Sequence, residues 1–412
     1  RHGNLCLALR WKGDQIKRRQ YRTGRTRCVA RPDDQSVHRC ICCWRRLSRI
    51  GIFRHALLPD AGDRQTRPAD GQERNGTTTD TGRYAMNPWP LLMRTVSQGG
   101  NKGRLSVFLF HRVLSEPDPL VDWDPDAATF NELMGWVKLC FNVLPLDQAV
   151  RRLSERSLPP RAASITFDDG YADNFQIARP ILESHGLTAT FFIATGYLNG
   201  GTMWNDKVIE AIRHCRTSNL DLSSMGLGIH DLSTVASVRH SISEILRSIK
   251  HLQPSQRDKS VSNILAITET NPRSDLMMTS DQVIAMRQAG MQIGAHTVNH
   301  PILANLESKA ACDEVADSKC FLEDLLKERI GLFAYPNGKP DLDYRMSDVE
   351  TIRELGFDAA VTTAWGVADD ATDPMQIPRF TPWDRTRFRF GARLFQMHLR
   401  NKAHHSGQKA SR

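Results

Sequence analysis

The sequence predicts an α/β protein built on a mainly parallel sheet. Three observations indicate this fold class: six short runs of apolar and β-branched residues, amphipathic segments between them, and polar residues directly after the runs. Strands of four to eight residues that alternate with helices are typical of βα units with parallel strands. A closed barrel and an open doubly wound sheet both fit. In either fold, functional sites form at the carboxyl ends of the strands.

The strands and helices can be placed one after another along the chain. We expect strands at residues 105–111, 163–169, 188–198, 291–297, 331–338 and 357–363. We expect helices at residues 128–140, 146–155, 174–186, 205–215, 237–252, 279–290, 307–328 and 347–356. Gly186 and Gly290 are typical helix stops, and Thr279 or Ser280 is a typical N-cap. Residues 216–275 are polar and serine-rich, so we interpret them as a helical insertion.

The net charge of +9 is concentrated near the N-terminus. Residues 1–85 hold 19 Lys+Arg and 8 Asp+Glu, a net +11, whereas residues 86–412 hold 36 and 38, a net −2. Since residues 1–85 lack a persistent apolar period, we predict a disordered or non-native extension, with translation starting at Met86. An arginine-rich extension could instead bind nucleic acid. The remaining chain has no such excess, so no nucleic-acid partner is expected.

No membrane-spanning helix is expected, because no run of 18 or more apolar residues occurs. No signal-peptide pattern is visible at residue 1 or after Met86, which makes the cytoplasm the default expectation for location. Five of the nine cysteines lie in residues 1–85 and the other four are widely scattered, and together they predict no disulfide framework. We interpret residues 383–412 as a basic C-terminal tail. The oligomeric state stays open.

Two histidines at a strand end are candidate metal ligands. His296 and His300 are four residues apart, and a helical turn after the strand would place both imidazoles on one face. Pro301 then disfavours the α region for His300 and ends the turn. Two imidazoles and one carboxylate would leave coordination positions open, as catalytic metal sites do. Alone, the H-x-x-x-H spacing is equally consistent with two surface histidines.

Two adjacent carboxylates, Asp168 and Asp169, end another predicted strand. Side chains alternate along a strand, so these two would normally point apart, but Gly170 permits a tight turn that lets both reach one pocket. Like charges so close repel each other unless a cation intervenes. One aspartate could then bind a metal while the other accepts a proton. An N-cap for the next helix is the alternative role, and Asp173 is an equal candidate for that.

The stretches TFDDGY, HTVNH and FAYPNG occur in this order and resemble the motifs of polysaccharide deacetylases with the NodB homology domain, carbohydrate esterase family 4. The resemblance covers residues 104–382 and implies a distorted (β/α) barrel. It also implies metal-dependent removal of acetyl groups from N-acetylated sugars of a polysaccharide or oligosaccharide. By this resemblance Asp168 is the catalytic base, and Asp169, His296 and His300 bind a divalent metal ion, with Zn²⁺ as the default.

The resemblance also implies a substrate groove, in which Tyr335 and Pro336 form a wall. The full set of candidate substrate-binding residues is Tyr171, Tyr335, Pro336, Asn337, Trp365 and Arg379. Trp365 could stack on a sugar face, although tryptophan is more often part of a core. Arg379 could orient a carboxylate of the site or form a surface ion pair.

The chain departs from the family pattern in two places. Many members have an arginine before the Tyr-Pro pair that braces the base, and Ala334 stands there instead. The general acid is commonly a histidine in a C-terminal LxH motif, whereas His398 lies in the predicted tail. LSVFLFHRV resembles the N-terminal YH element of the poly-N-acetylglucosamine deacetylase branch. We therefore assign His111 as the general acid, with a structural core histidine as the alternative.

Two rival functions remain at this point. Two histidines and one carboxylate also form the ligand set of non-haem iron oxygenases, although the alternating β/α pattern argues against their usual scaffold. A non-catalytic carbohydrate-binding protein is the other alternative. The presence of all four candidate residues of the centre, Asp168, Asp169, His296 and His300, argues against it.

Overall fold

A computed structural model describes residues 89–382, 384 and 386–409, with backbone alone from Arg400 onward. The predictions for residues 1–85 and for Met86 lie outside the described residues. Among the helices described, none combines the length and the apolar content needed to cross a bilayer.

The strands form a closed barrel, as the resemblance implied. In chain order they are β1 Leu105–Phe110, β2 Asn142–Val143, β3 Ala162–Phe167, β4 Thr190–Ile193, β5 Asn219–Asp221, β6 Ile229–Asp231, β7 Gln292–Ala295, β8 Leu332–Ala334, β9 Ala359–Trp365 and β10 Ile377–Arg379. The barrel order is β1-β3-β4-β7-β8-β9-β10, all pairs are parallel, and β2 pairs with β3. Phe380, just after β10, bonds to Val107 (2.8 Å) and Leu109 (2.9 Å) of β1, which closes the ring.

Helices surround this barrel. They are α1 Trp89–Val96, α2 Ala127–Cys140, α3 Leu146–Ser154, α4 Arg179–Ser184, α5 Trp204–Arg213, α6 Val235–Ile249, α7 Pro254–Ile267, α8 Ser280–Gln288, α9 Ser308–Leu326, α10 Met346–Glu354 and α11 Arg387–Lys409. The predicted N-cap is confirmed at Thr279, whose hydroxyl accepts from the backbone of Gln282 in a capping box. The helix predicted at 174–186 begins instead with a π-helical turn, Asn174–Ala178, before α4.

The barrel strands are buried on both faces, which explains their continuous apolar runs. Val107 and Phe192 belong to a cluster in which residues of six barrel strands meet one another, inside the barrel. Their neighbours Phe108 and Phe191 belong to a larger cluster that includes the surrounding helices. Every residue of β1 and β3 is buried. The strands therefore form a rigid support for the loops at their carboxyl ends.

The predicted insertion forms a small unit with a hydrophobic core of its own. The antiparallel hairpin β5–β6 and the helices α6 and α7 pack with α5 around Ile212, Leu220, Ile245 and Ile264. The sequence predicted α6 but not α7. That helix begins with Pro254 and is polar over most of its length, so its apolar stripe is too narrow to stand out.

The chain beyond residue 382 is not only a tail. Phe390, Leu394 and Met397 of α11 are buried in the main core, at helical spacing. His398, expected to lie outside the domain, is fully buried beside Ser106 of β1. The domain boundary at residue 382 is therefore too early, because basic residues between the apolar positions obscured the helical stripe.

Candidate metal and catalytic site

Asp168 and Asp169 lie in a tight turn at the end of β3. Asp169 has a φ of +75° and Gly170 a φ of +90°, and the carbonyl of Asp168 accepts from the N–H of Gly170 at 3.0 Å. This left-handed turn breaks the strand alternation, so both carboxylates line one cavity. A Cβ at position 170 would meet Ile193 at 3.3 Å in a left-handed conformation, so glycine is favoured there.

His296 and His300 follow β7 through a turn that is not the expected helical one. Thr297 and His300 both have left-handed φ values, +64° and +51°. The hydroxyl of Thr297 accepts from the N–H of His300 at 3.0 Å, and Glu314 accepts from the N–H groups of Val298 (2.9 Å) and Asn299 (2.8 Å). The helical spacing therefore predicted the convergence of the imidazoles but not the backbone that produces it.

Asp169, His296 and His300 converge closely enough to share one cation. Oδ1 of Asp169 lies 3.4 Å from Nε2 of His296 and 3.3 Å from Nε2 of His300. That Oδ1 is buried and has no hydrogen-bond partner among the described residues. Ligands bound to one tetrahedral zinc ion at about 2.1 Å lie about 3.4 Å from one another. The donor set and its spacing therefore fit a divalent cation.

Hydrogen bonding orients the imidazole of His296, and burial keeps the imidazole of His300 neutral. Nδ1 of His296 donates to the carbonyl of Ala334 at 2.7 Å, which leaves the lone pair of Nε2 directed at Asp169. Burial lowers the pKa of His300 to about 3, so its ring is neutral near pH 7. Burial opposes ionisation of Asp169, but the neighbouring imidazoles outweigh it and hold the pKa of this carboxyl below its usual value.

Arg379 fixes the second carboxylate, Asp168. Its guanidinium makes two parallel hydrogen bonds to Asp168, of 2.7 and 2.6 Å, and its Nε donates to the carbonyl of Thr362 at 2.8 Å. Burial acts to raise the pKa of Asp168, but Arg379 outweighs it and holds that pKa below its usual value. Both side chains are almost fully buried. Arg379 thus orients a carboxylate of the site, which was one of the two roles predicted for it. Because its side chain is buried, it is not exposed to a substrate, as a substrate-binding residue would have to be.

The two aspartates and two histidines line one cavity of about 360 Å³ at the carboxyl ends of the strands. The predicted residues His111, Tyr171 and Asn337 also line it. His111 follows β1, and its backbone carbonyl accepts from the side chain of Asn174 at 2.9 Å. Residues of α5, and of α6 in the insertion, form one wall of the cavity.

Three predicted substrate-binding residues lie elsewhere. The ring of Tyr335 is fully buried, stacks on Tyr344 at 3.9 Å and donates its hydroxyl proton to the carbonyl of Met375 at 3.0 Å. Pro336 is buried and does not line the cavity, and neither does Trp365, which is 45% exposed. The side chain of Tyr335 therefore belongs to the core, because β8 ends one residue before it and directs it outward from the barrel.

Two other tryptophans line the cavity, Trp123 and Trp204. Trp204 opens α5, and the guanidinium of Arg257 lies 5.0 Å from the centre of its ring. Trp123 is 47% exposed in the loop between β1 and α2. The sequence signal that could have indicated Trp123 is an aromatic residue next to acidic residues, in the stretch WDPD. That loop has no periodicity from which its position could be inferred.

A polar cluster beside the metal-binding residues was not predicted. Tyr171 donates to Asp206 at 2.9 Å, and Arg112 lies 4.7 Å from the centre of the Tyr171 ring while it pairs with Asp173 at 2.8 Å. Burial raises the pKa of Asp206 to about 7 although Arg112 and the hydrogen bond from Tyr171 oppose it. Asp206 therefore binds a proton far more tightly in the folded chain than in the unfolded chain.

We expect Asp206→Asn to stabilise the protein at pH 8 more than at pH 5. Because the folded-state pKa is raised, the wild type loses stability as the pH rises from about 4 to 7, by at most about 4 kcal/mol. The amide avoids this loss and can still accept from Tyr171. Thermal unfolding at both pH values checks it, with Asp324→Asn at an exposed position as the control. Equal destabilisation at both pH values would contradict the expectation.

A family model described as polysaccharide deacetylase matches residues 155–360, half of the chain. The chain is also similar to YxkH of Bacillus subtilis, a protein assigned only provisionally as a polysaccharide deacetylase, at 21% identity over 224 residues. The match covers 54% of this chain and 52% of YxkH, so the chain spans about half the length of that relative.

Two solved structures show a likeness to this chain. Streptococcus pyogenes deacetylase PplD, in complex with acetate, is 21% identical, with 68% of this chain and 92% of PplD covered and a TM-score of 0.46. IcaB from Ammonifex degensii is 17% identical, with 71% and 98% covered and a TM-score of 0.47.

Proposed function

Because the chain belongs to the polysaccharide deacetylase family, we propose that it is a metal-dependent hydrolase that removes acetyl groups from the N-acetylated sugars of a polysaccharide or oligosaccharide. The observation that carries the proposal is the convergence of His296 and His300 on Oδ1 of Asp169, at 3.4 and 3.3 Å, in the cavity that Asp168 also lines. Such a site combines ligands for a Lewis acid with a separate, oriented base.

In this proposal Asp169, His296 and His300 hold a divalent cation, with zinc as the default for one carboxylate and two imidazoles. A bound cation would polarise the acetyl carbonyl and lower the pKa of water. The chain itself orients the ligands through the carbonyl of Ala334, which fixes His296, and through Glu314, which holds the turn before His300.

Asp168 acts as the general base in the proposed reaction. Its carboxylate accepts a proton from the attacking water, whose oxygen forms a bond to the acetyl carbon. The bond between that carbon and the sugar nitrogen then breaks, and His111 gives a proton to the departing nitrogen. Acetate and a sugar amine are the products. Arg379 keeps Asp168 ionised and oriented, the role that Ala334 cannot fill.

The remaining cavity residues bind the sugar in this proposal. Asn337 offers an amide to hydroxyl or acetamido groups, and Tyr171 forms part of the wall beside Asp169. Trp123 and Trp204 offer aromatic faces on which a sugar ring can stack.

Acetate release from a panel of N-acetylated glycans tests the proposed function. We expect the purified protein to release acetate, to lose this activity after treatment with a chelator, and to regain it with Zn²⁺. The same assay without oxygen excludes an oxygenase if acetate is still released. Release that a chelator does not affect would contradict the metal dependence. Binding of the glycans without release would favour the non-catalytic alternative.

A further inference from the structure

Four cationic side chains line the cavity, and two of them are neutralised by neighbours. Arg112 pairs with Asp173 at 2.8 Å, and Arg213 pairs with Asp118 at 2.6 Å. These ion pairs are partly buried and need no further partner. The other two cations, Arg247 and Lys250, come from α6 or directly follow it.

Arg247 and Lys250 are three residues apart on the side of the insertion that faces the cavity. The guanidinium of Arg247 approaches Glu244 at 3.6 Å, and since 77% of the arginine side chain is exposed, that pair contributes little. Within the part of the chain that the structure describes, no carboxylate lies within 4.0 Å of the ammonium of Lys250. Lys250 is nevertheless only partly exposed.

A third cation, Lys339, acts on Lys250 from the loop after β8. Burial lowers the pKa of Lys250, Asp343 opposes this, and the charge of Lys339 lowers it further. Asp343 is 1% exposed and accepts from the backbone N–H of Lys339 at 2.9 Å. Lys250 therefore carries its charge in partly dehydrated surroundings, and a bound anion would offset the cost of that burial.

We propose that Arg247 and Lys250, here called the cationic rim, bind an anionic group of the glycan, a carboxylate or a phosphate. This rests on the proposed deacetylase function, since the rim adjoins the cavity of Asp168 and the metal-binding residues. Guanidinium and ammonium groups donate charge-assisted hydrogen bonds to both kinds of oxyanion. The substrate would then be an anionic glycan in which the charged group lies near the acetylated sugar.

The acidic side chains of the same cavity do not exclude an anion by their charge. Glu210 lies 3.1 Å from Arg213 and shares that guanidinium with Asp118. Asp206 is deeply buried and Asp124 is partly exposed, and burial raises the pKa of Asp124 to about 6 and that of Asp206 to about 7. Their negative charge near neutral pH is thus reduced, and they do not cancel the attraction of the cationic rim.

The test compares neutral and anionic substrates in the wild type and in the double variant Arg247→Gln with Lys250→Gln. The substrates are an N-acetylglucosamine tetramer, an oligosaccharide that alternates N-acetylglucosamine with glucuronate, and an N-acetylglucosamine oligomer carrying a phosphate. We expect the wild type to favour at least one anionic substrate. The double variant should reduce the anionic-to-neutral ratio of kcat/KM about tenfold. Lys138→Gln with Arg216→Gln, at exposed positions away from the cavity, is the matched control and should leave the ratio unchanged.

The substrate arms separate a uronate from a phosphate as the source of the anion. Equal kcat/KM for neutral and anionic substrates in the wild type, or equal losses on both in the double variant, would overturn the proposal. If no substrate releases acetate, the deacetylase function itself fails. In that case, calorimetry measures how the glucuronate and phosphate oligosaccharides bind to the wild type and to the double variant. This tests anion binding by the cationic rim separately from catalysis. Loss of binding in the variant supports it, and equal binding or none overturns it.

Discussion

Replacement of Asp168 by Asn is expected to abolish acetate release while the protein keeps its divalent metal. The amide has nearly the same shape as the carboxylate but cannot accept the proton of the attacking water. Loss of a general base typically costs about 10²–10⁴-fold in rate. The candidate metal ligands are Asp169, His296 and His300, and the substitution leaves their three ligand atoms in place.

Two measurements on two variants make this prediction specific. Acetate release is measured on the best substrate of the panel, and metal content is measured by elemental analysis after gel filtration. Asp168→Asn should lose only activity, whereas Asp169→Asn should lose both activity and most of the metal. Near-normal turnover in Asp168→Asn would exclude it as the base. Loss of metal in Asp168→Asn would mean that Asp168 is itself a metal ligand.

The positions of the candidate metal ligands could be predicted because they depend on local sequence. Polar residues after buried parallel strands gather at one end of a barrel, so the sequence predicts that Asp169, His296 and His300 lie close together. The conformations that join them could not be predicted in the same way. Asp169 and His300 adopt left-handed φ values that Thr297, Glu314 and surrounding loops stabilise.

The contact between Arg379 and Asp168, in contrast, could not be predicted from local sequence. It joins residues 211 positions apart, and nothing near Arg379 in sequence distinguishes a buried brace from a surface ion pair. Only closure of the barrel, by the bonds of Phe380 to β1, brings β10 next to β1, and β3 lies on the other side of β1. The same is true of Tyr335, whose motif is local but whose direction depends on packing against Tyr344.

The insertion also forms part of the cavity, which the family motifs did not predict. Its hydrophobic core lies outside the barrel, yet its helix α6, together with α5, supplies one wall of the cavity. The end of the barrel that carries the candidate site can thus be combined with a wall that the barrel does not supply. In the proposed enzyme the barrel carries the chemistry, and the insertion sets which glycan reaches it.

Replacement of Arg379 by Met is expected to impair both folding and catalysis. The arginine is fully buried and provides the two hydrogen bonds that hold Asp168, besides its bonds to Thr362 and Thr166. Its removal leaves a buried carboxylate without a counter-charge, a change that typically costs about 3–5 kcal/mol of stability. Arg379→Lys keeps the charge but cannot make both bonds in parallel, so an intermediate loss is expected.

The pH dependence of the Arg379→Met variant separates its catalytic effect from its effect on folding. In the wild type Arg379 overcomes the effect of burial and lowers the pKa of Asp168. Without it burial prevails and that pKa rises, so the carboxylate is protonated, and inactive as a base, up to a higher pH. The acidic limb of kcat/KM should therefore move to higher pH in the folded fraction of the variant. Arg353→Met, which breaks an exposed pair with Asp373, is the control and should leave the limb in place. An unchanged limb in folded Arg379→Met would mean that Arg379 serves the fold alone and that something else keeps Asp168 ionised.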